Sequence, residues 1–387
     1  MPEASPPRVV LVWRNDVLHG SETFIRNQVD ATRGWRAILG GARRWESALS
    51  APTDEILFGS APIERVRRRL FLMTGRSSRL DRLIRTQRVS LVHAHFATSA
   101  TAVAGTARRL GLPFVVTVHG FDVTNHAMRR GRRGARDARR MRQALQAASR
   151  VVAVSDFIAT QTITAFGVDP ERIRVLPIGV PVRPSPAPVR VTRDLAFVGR
   201  LVDKKGVPDL LAALSLLAGR GLRPSLAIVG EGPMRAALEE EAASRGLSVE
   251  FLGHLPPDDV AQVLRESRVF VAPSRTASNG DAEGFGMVYL EAALAGIPAI
   301  AYRHGGVPEA IVDGVTGLLA DEGDIEGLAA SIETLLADTD VRAEMGRAAE
   351  ARVRAEFDIR PRTDALVALY DEVSTEAAAT PAGVSDA

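Results

Sequence analysis

The chain has 387 residues, 46% hydrophobic and 25% charged, with no cysteine and only two lysines, Lys204 and Lys205, against 47 arginines. That length exceeds one ordinary core and predicts two domains of roughly 150–200 residues, while the missing cysteines exclude disulfides and thiolate metal sites. The net charge of +3 conceals an asymmetry: residues 1–190 carry 31 arginines and 14 acidic residues, and the remainder is acidic.

The N-terminal MPEASPPRVVLVW lacks the cationic segment and long apolar run of a signal peptide. No apolar run approaches the roughly 20 residues of a membrane span. A cytosolic protein is therefore expected, at most peripheral to the inner face of a membrane.

Short β-branched runs then alternate with longer helical patterns. Strands are predicted at 9–13, 36–40, 90–95, 114–119, 150–155 and 173–177, with helices over 21–33, 98–110, 134–148 and 156–166. Arginine runs stand at RVRRRL (65–70) and RRGRRGARDARRMR (129–142). They lack the interleaved aromatics of a base-stacking surface, so nucleic acid is not expected as a partner. They fit a solvated arginine-rich helix face, and an anionic membrane surface, an anionic acceptor or the acidic half of the same chain would also suit them.

The Pro-rich PVRPSPAPVRVT is neither helix nor central strand and reads as a linker, placed at 184–193. Strands resume at 194–199, 225–230, 249–253, 268–273 and 297–302. Val-, Ile- and Leu-rich strands alternating with helices predict buried parallel sheets. The fold class is thus α/β, two Rossmann-like domains (1–183 and 194–357) whose sheets face across a deep cleft at the strands' carboxyl ends. A helix over 358–375 is expected to pack back on the first domain, and the small-residue tail 376–387 to be disordered.

Two stretches carry chemistry. In GRLVDKKGV, Arg200 follows the end of a strand and Lys205 sits in a glycine turn before a helix. A bidentate guanidinium beside a compact ammonium suits a diphosphate. In DAEGFGMVYLEAALAG, Glu283 precedes a helix start, and Glu291 follows eight residues later in its second turn. Free N–H groups of Gly284, Phe285, Gly286 and Met287 would offer donors to anionic or hydroxyl oxygens. Each stretch alone also fits a bland reading, a solvated basic turn or a helix with two ordinary acids.

Together the two motifs resemble the family 4 glycosyltransferases. Further stretches in the same order are IVGEGPMRAALE, FLGHLPPDDVAQVL, VAPSRTASNGDAEGFG and GGVPEAIVDGVTGLLA, with HGSETFIRNQV and HAHF similar to surface-glycan members. The resemblance spans about residues 8–370. It implies a retaining, metal-independent hexosyltransferase of the GT-B fold, with an acceptor-binding first domain and a donor-binding second one. The donor would be a UDP-sugar, favoured, or GDP-mannose. The acceptor would be a hydroxyl of a glycan, a lipid-linked intermediate or a small molecule.

The resemblance also assigns residues. Arg200 and Lys205 would bind the diphosphate beside Gly199. Glu283, with the N–H groups of 284–287, would hold the transferred sugar, and Glu291 the ribose. Gly253, His254 and Leu255 would lie near the base, and Gly20 near the phosphates. His119 would face the reacting centre, making His119, Glu283, Arg200 and Lys205 the catalytic set. Ser21, Glu22, His95 and Asp122 would meet the acceptor. Lys204, at a variable position, would be a helper or a passenger.

Other patterns are weaker. DTD at 338–340 reads as a helix cap rather than a metal site. His93, His95 and His119 could hold zinc, but nothing else supports it, so neither metal nor cofactor is expected. GEGPM matches half a dinucleotide fingerprint. A nucleotide-sugar epimerase of the same fold and a polyanion-binding protein are the alternatives. Oligomeric state is left open.

Overall fold

A computed structural model of the chain describes residues 8–20, 22–127, 131–184 and 189–379, with the side chains of 126–127 outside that description. It divides into two compact units, Met1–Pro181 with Ile359–Ala387, and Val182–Asp358.

The first unit holds strands β1 (Arg8–Trp13), β2 (Asp16–Val17), β3 (Trp35–Gly41), β4 (Arg43–Arg44), β5 (Glu55–Ile56), β6 (Val89–His95), β7 (Phe114–Val118), β8 (Arg150–Ala153) and β9 (Ile173–Val175). Its helices are α1 (Thr23–Ala31), α2 (Pro62–Thr74), α3 (Ser78–Thr86), α4 (Ala97–Arg109), α5 (Phe121–Ala127), α6 (Gly131–Gln146) and α7 (Asp156–Phe166). Seven strands form one parallel sheet in the order β5-β3-β1-β6-β7-β8-β9. Every residue of β1 after Arg8 is buried, as a central strand covered on both faces requires.

The second unit holds β10 (Arg193–Val198), β11 (Leu226–Val229), β12 (Val249–Gly253), β13 (Ser267–Val271), β14 (Ala299–Arg303) and β15 (Gly317–Asp321). Its helices are α8 (Val207–Gly219), α9 (Arg235–Ser244), α10 (Pro257–Arg265), α11 (Met287–Leu294), α12 (Val307–Ala310), α13 (Ile325–Ala337) and α14 (Thr339–Glu356). The sheet is again parallel, in the order β12-β11-β10-β13-β14-β15.

In each sheet the chain steps outward from a central strand in one direction and then in the other. The reversals fall between β1 and β6 and between β10 and β13. Loops leaving the carboxyl ends of such strand pairs diverge, which makes these points the usual ligand sites of open parallel sheets.

The last helix, α15 (Ile359–Ala379), belongs to the first unit. Leu366, Leu369, Tyr370 and Val373 join Val10, Leu39, Leu91 and Val115 in its core. This helix continues through 376–379, part of the segment expected as a disordered tail, and residues 380–387 lie outside the described ones. Strand β10 begins at Arg193, inside the expected linker, whose residues 185–188 are not described. Asp338 caps α14, accepting from the N–H groups of Asp340 and Val341, so DTD is a cap.

Candidate active site

The second unit's reversal point brings the two sequence motifs together. The loop after β10 runs through Gly199 and Arg200 to a single 3-10 turn, Asp203–Lys205. Gly206 ends it at φ +65, where a Cβ would collide with the Pro273 carbonyl oxygen, so only glycine lets the chain enter α8 here. The loop after β13 carries Ser274 to Gly286.

Lys205 Nζ donates to Glu283 Oε2 at 2.5 Å, with both side chains largely buried. Burial alone would raise the Glu283 carboxyl, but the neighbouring Lys205 and Lys204 ammonium groups hold it at about 2. Its stabilising charge is therefore complete above the ordinary carboxylate value of 4.5 and is lost as pH falls from there towards 2.

Lys204 takes a different partner. Its Nζ lies 3.0 Å from Asp281 Oδ2, both side chains being about nine-tenths covered. Its carbonyl oxygen accepts from Arg275 N–H at 2.8 Å. The Arg275 guanidinium reaches Asp203 at 2.8 Å and Asp209 at 2.9 Å. Three basic residues thus tie the β10 loop to the β13 loop.

A third loop supports Glu283 from behind. His304 Nε2 accepts the Glu283 N–H at 3.2 Å, and the Glu283 carbonyl oxygen accepts Gly306 N–H at 3.0 Å. An accepting Nε2 leaves the proton on Nδ1, which donates to Glu322 Oε2 at 2.8 Å.

Two groups have no such partner. Arg200 is exposed and makes no ion pair among the described residues. Glu291 in α11 likewise has no polar side-chain partner, and burial pushes its carboxyl up to about 7. The N–H of Met287 opens α11, next to the left-handed Gly286. Phe285 points inward, its ring 5.5 Å from that of Phe357. Gly253 ends β12 at φ +70, His254 is exposed beside it and Leu255 is half-buried.

The first unit's reversal point gathers the loops after β1, β6 and β7. Arg14 donates to Glu22 Oε1 from Nε and Nη2 at 3.0 and 2.8 Å, and its Nη1 donates to Ser99 Oγ at 3.0 Å. Glu22 Oε2 accepts His19 N–H at 3.1 Å, closing the HGSE turn. Gly20 in that turn is exposed, with open space where a Cβ would stand.

After β6, Phe96 sits at φ +69, a conformation that costs a non-glycine residue on the order of 1–3 kcal/mol. Its ring packs 4.5 Å from His119 and lies under the Arg14 guanidinium at 4.4 Å. His119 Nε2 meets His95 Nδ1 at 3.0 Å, and the outer ring nitrogens, His95 Nε2 and His119 Nδ1, are buried without a partner. Burial, reinforced by nearby positive groups, lowers both imidazoles well below the usual range, so both are neutral near pH 7.

His93 is fully buried, bonded to Tyr370 Oη at 2.6 Å and Thr117 Oγ1 at 2.7 Å. No group of His, Asp or Glu with metal-binding geometry occurs among the described residues.

Comparison with known proteins places the chain in a family. Residues 187–352 match the family of glycosyl transferases group 1, and residues 20–183 match glycosyltransferase family 4. A GDP-mannose-dependent monoacylated alpha-(1-6)-phosphatidylinositol monomannoside mannosyltransferase of Corynebacterium glutamicum is 30% identical over 377 residues, 91% of this chain and 95% of the relative.

The chain belongs to the family 4 glycosyltransferases.

A glycogen synthase of Mycobacterium tuberculosis is 30% identical over 293 residues, 74% of this chain and 69% of that one. Among solved structures, HepE of Anabaena in complex with UDP and glucose superposes with a TM-score of 0.76 at 21% identity, over 94% of this chain and 100% of that one. This likeness establishes the GT-B fold.

Three assignments in the glycosyltransferase's first unit need correction. Glu22 is 6% exposed and spends its carboxylate on Arg14 and the His19 amide, so it shapes the turn rather than meeting an acceptor. Asp122 is fully buried, its oxygens accepting the N–H groups of Ala97, His119 and Gly120 at 2.7, 3.1 and 3.1 Å. It anchors the start of α4 and the His119 turn. His95 is 1% exposed and reaches outward only through His119. Ser21 lies outside the described residues.

Sequence reasoning missed His304, Glu322, Asp281 and Arg275. Their partners lie 18 to 77 residues away, and only the GGVPEA stretch beside His304 hinted at that loop. Lys204, read as a helper or passenger, is half of a buried ion pair.

Proposed function

We propose that the chain moves a sugar from a UDP- or GDP-sugar to a hydroxyl acceptor with retention of anomeric configuration, without a metal ion. The observation that carries this reading is the Lys205–Glu283 pair at the β10/β13 reversal, with the unpaired Arg200 on the same loop. A cation and a carboxylate that complete each other in the free protein present two separate grips once a donor arrives: Lys205 for phosphate and Glu283 for sugar hydroxyls.

In this reading Arg200 and Lys205 take up the negative charge that builds on the departing diphosphate, the service a divalent cation would otherwise supply. Glu283 and the N–H groups from Gly284 to Met287 hold the sugar. Glu291 accepts the ribose hydroxyls, and the loop at Gly253, His254 and Leu255 meets the base. The bond from C1 of the sugar to the phosphate oxygen breaks. The acceptor oxygen forms the new C1–O bond on the same face, and its proton passes to the departing phosphate oxygen.

His119, neutral and bonded to His95, has its buried, unpartnered Nδ1 left for an acceptor oxygen. The first unit binds the acceptor, a hydroxyl on a glycan, a lipid-linked intermediate or a small molecule. Support for the donor comes from the GDP-mannose dependence named for the Corynebacterium relative and the UDP held by the Anabaena protein.

The test is proton NMR of reactions with UDP-, GDP-, ADP- and dTDP-sugars in the presence of EDTA, with simple sugars, inositol phosphate and lipid extracts as acceptors. Transfer with the donor's anomeric configuration kept, from a UDP- or GDP-sugar, is expected. An inverted product, or turnover abolished by EDTA and restored by a divalent ion, contradicts the reading.

A further inference from the structure

We propose that the outer face of α2 in the first unit docks on an anionic lipid surface. This inference rests on the shape of α2 and not on the donor chemistry. The described residues include ten exposed large hydrophobic side chains, and four of them belong to this single helix. Ile63, Val66 and Leu70 are each 55% exposed and Met73 is 54% exposed.

At about 100° per residue these four fall within an arc of about 80°. Phe71 points the other way, 1% exposed, with its ring 5.8 Å from Trp13 and 5.7 Å from Phe58. The helix therefore has two apolar faces, one spent on the core and one unpartnered. Scattered exposed hydrophobics need no explanation, but a contiguous stripe does.

The charge around the stripe identifies the partner. Arg67 and Arg69 flank it on either side, and Arg65 stands one turn back from Arg69. Arg65 and Arg69 form no ion pair among the described residues, while Arg67 bonds Glu64 at 2.7 Å. Helix α6 adjoins the end of α2, where Arg140 Nη2 donates to the Leu72 carbonyl oxygen at 2.6 Å. Arg133 and Arg136, at helical spacing from Arg140, are exposed on the same side of α6.

An apolar stripe bordered by arginines is the arrangement of a helix lying in a membrane interface. The apolar side chains enter the acyl boundary, and the guanidinium groups reach lipid phosphates. Nucleic acid would use the arginines but would leave the aliphatic stripe in water, with no aromatic ring to stack a base. No helix among the described residues is long and apolar enough to cross a membrane, so attachment through α2 would be reversible.

The test is co-sedimentation of the full chain with vesicles of phosphatidylcholine alone and with about a third phosphatidylglycerol, in low and high salt. The variants are Val66→Ser with Leu70→Ser, Arg65→Gln with Arg69→Gln, and the exposed, distant Val315→Ser as control. Binding to the anionic vesicles alone is expected, weakened by salt and by about tenfold or more in either α2 double variant. Melting temperature should stay unchanged, since the altered side chains are exposed. Three results would overturn the proposal: no vesicle binding by the wild type, binding unaffected by the α2 variants, or loss limited to the arginine variant with equal affinity for duplex DNA.

Discussion

Lys204 and Asp281 form a buried ion pair, Nζ to Oδ2 at 3.0 Å, one residue before Lys205 reaches Glu283. The only two lysines of the chain are consecutive, and they hold two carboxylates spaced two apart on another loop. Lysine suits both places because its ammonium is compact and its stem narrow, whereas arginine's planar fork needs more room and two aligned acceptors. The same loop uses arginine where that fork fits, at Arg275 between Asp203 and Asp209.

Lys204→Ala should lower the stability of the second unit by about 3 kcal/mol, because Asp281 would be left charged and buried. Lys204→Arg should also destabilise, contrary to the tolerance expected of a variable position. Scanning calorimetry of the single variants and of Lys204→Ala with Asp281→Asn measures the coupling. Additive losses would show that the two residues act independently.

Apart from the two-residue edge strand β5 and the last strand β15, the strands of both sheets could be read from β-branched runs, because a buried parallel strand writes its burial into consecutive residues. Both chemical motifs could be read too, since each is local. Strand β15 (Gly317–Asp321) went unread, as GLLAD is short and half-exposed. The inward-turned carboxylates of Glu22 and Asp122 were not legible, for one reason. A polar residue beside a turn looks the same whether it faces a ligand or a backbone amide, and Asp122 faces three amides. The Lys204–Asp281 pair joins residues far apart in the chain, which spacing alone cannot reveal.

Donor affinity should depend on pH through Glu291. Burial raises its carboxyl to about 7, so much of it is protonated at pH 6. In the proposed donor complex ribose hydroxyls donate to the ionised form, so binding should strengthen as pH rises from 6 to 8 and should release a proton. Calorimetric titrations in buffers of different ionisation enthalpy measure that proton. Glu291→Gln should remove the release, and a release of the same size in that variant would exclude Glu291 as its source.

Acid should weaken the first unit through its buried histidines. Burial lowers His93 to about 3, while in the unfolded chain it protonates below its ordinary value of 6.5. A depressed folded value means stability complete above 6.5 and lost progressively below it, by about 1.4 kcal/mol per pH unit per histidine. All three tryptophans lie in the first unit, so their fluorescence in urea reports its unfolding. His93→Gln should be less stable at pH 7.5 and should lose stability less steeply down to pH 5. An unchanged slope would contradict the assignment.

The central claim is that Lys205 exchanges Glu283 for the donor's diphosphate. Its most direct test is calorimetric titration of UDP and GDP into the wild type, Lys205→Ala and Glu283→Gln. Removing a charge-assisted contact should weaken the bound nucleotide about tenfold to a hundredfold in Lys205→Ala. Glu283→Gln frees Lys205, so it should bind the same nucleotide at least as tightly as the wild type while losing sugar transfer. Wild-type affinity in Lys205→Ala, or an equal loss in both variants, would contradict the exchange.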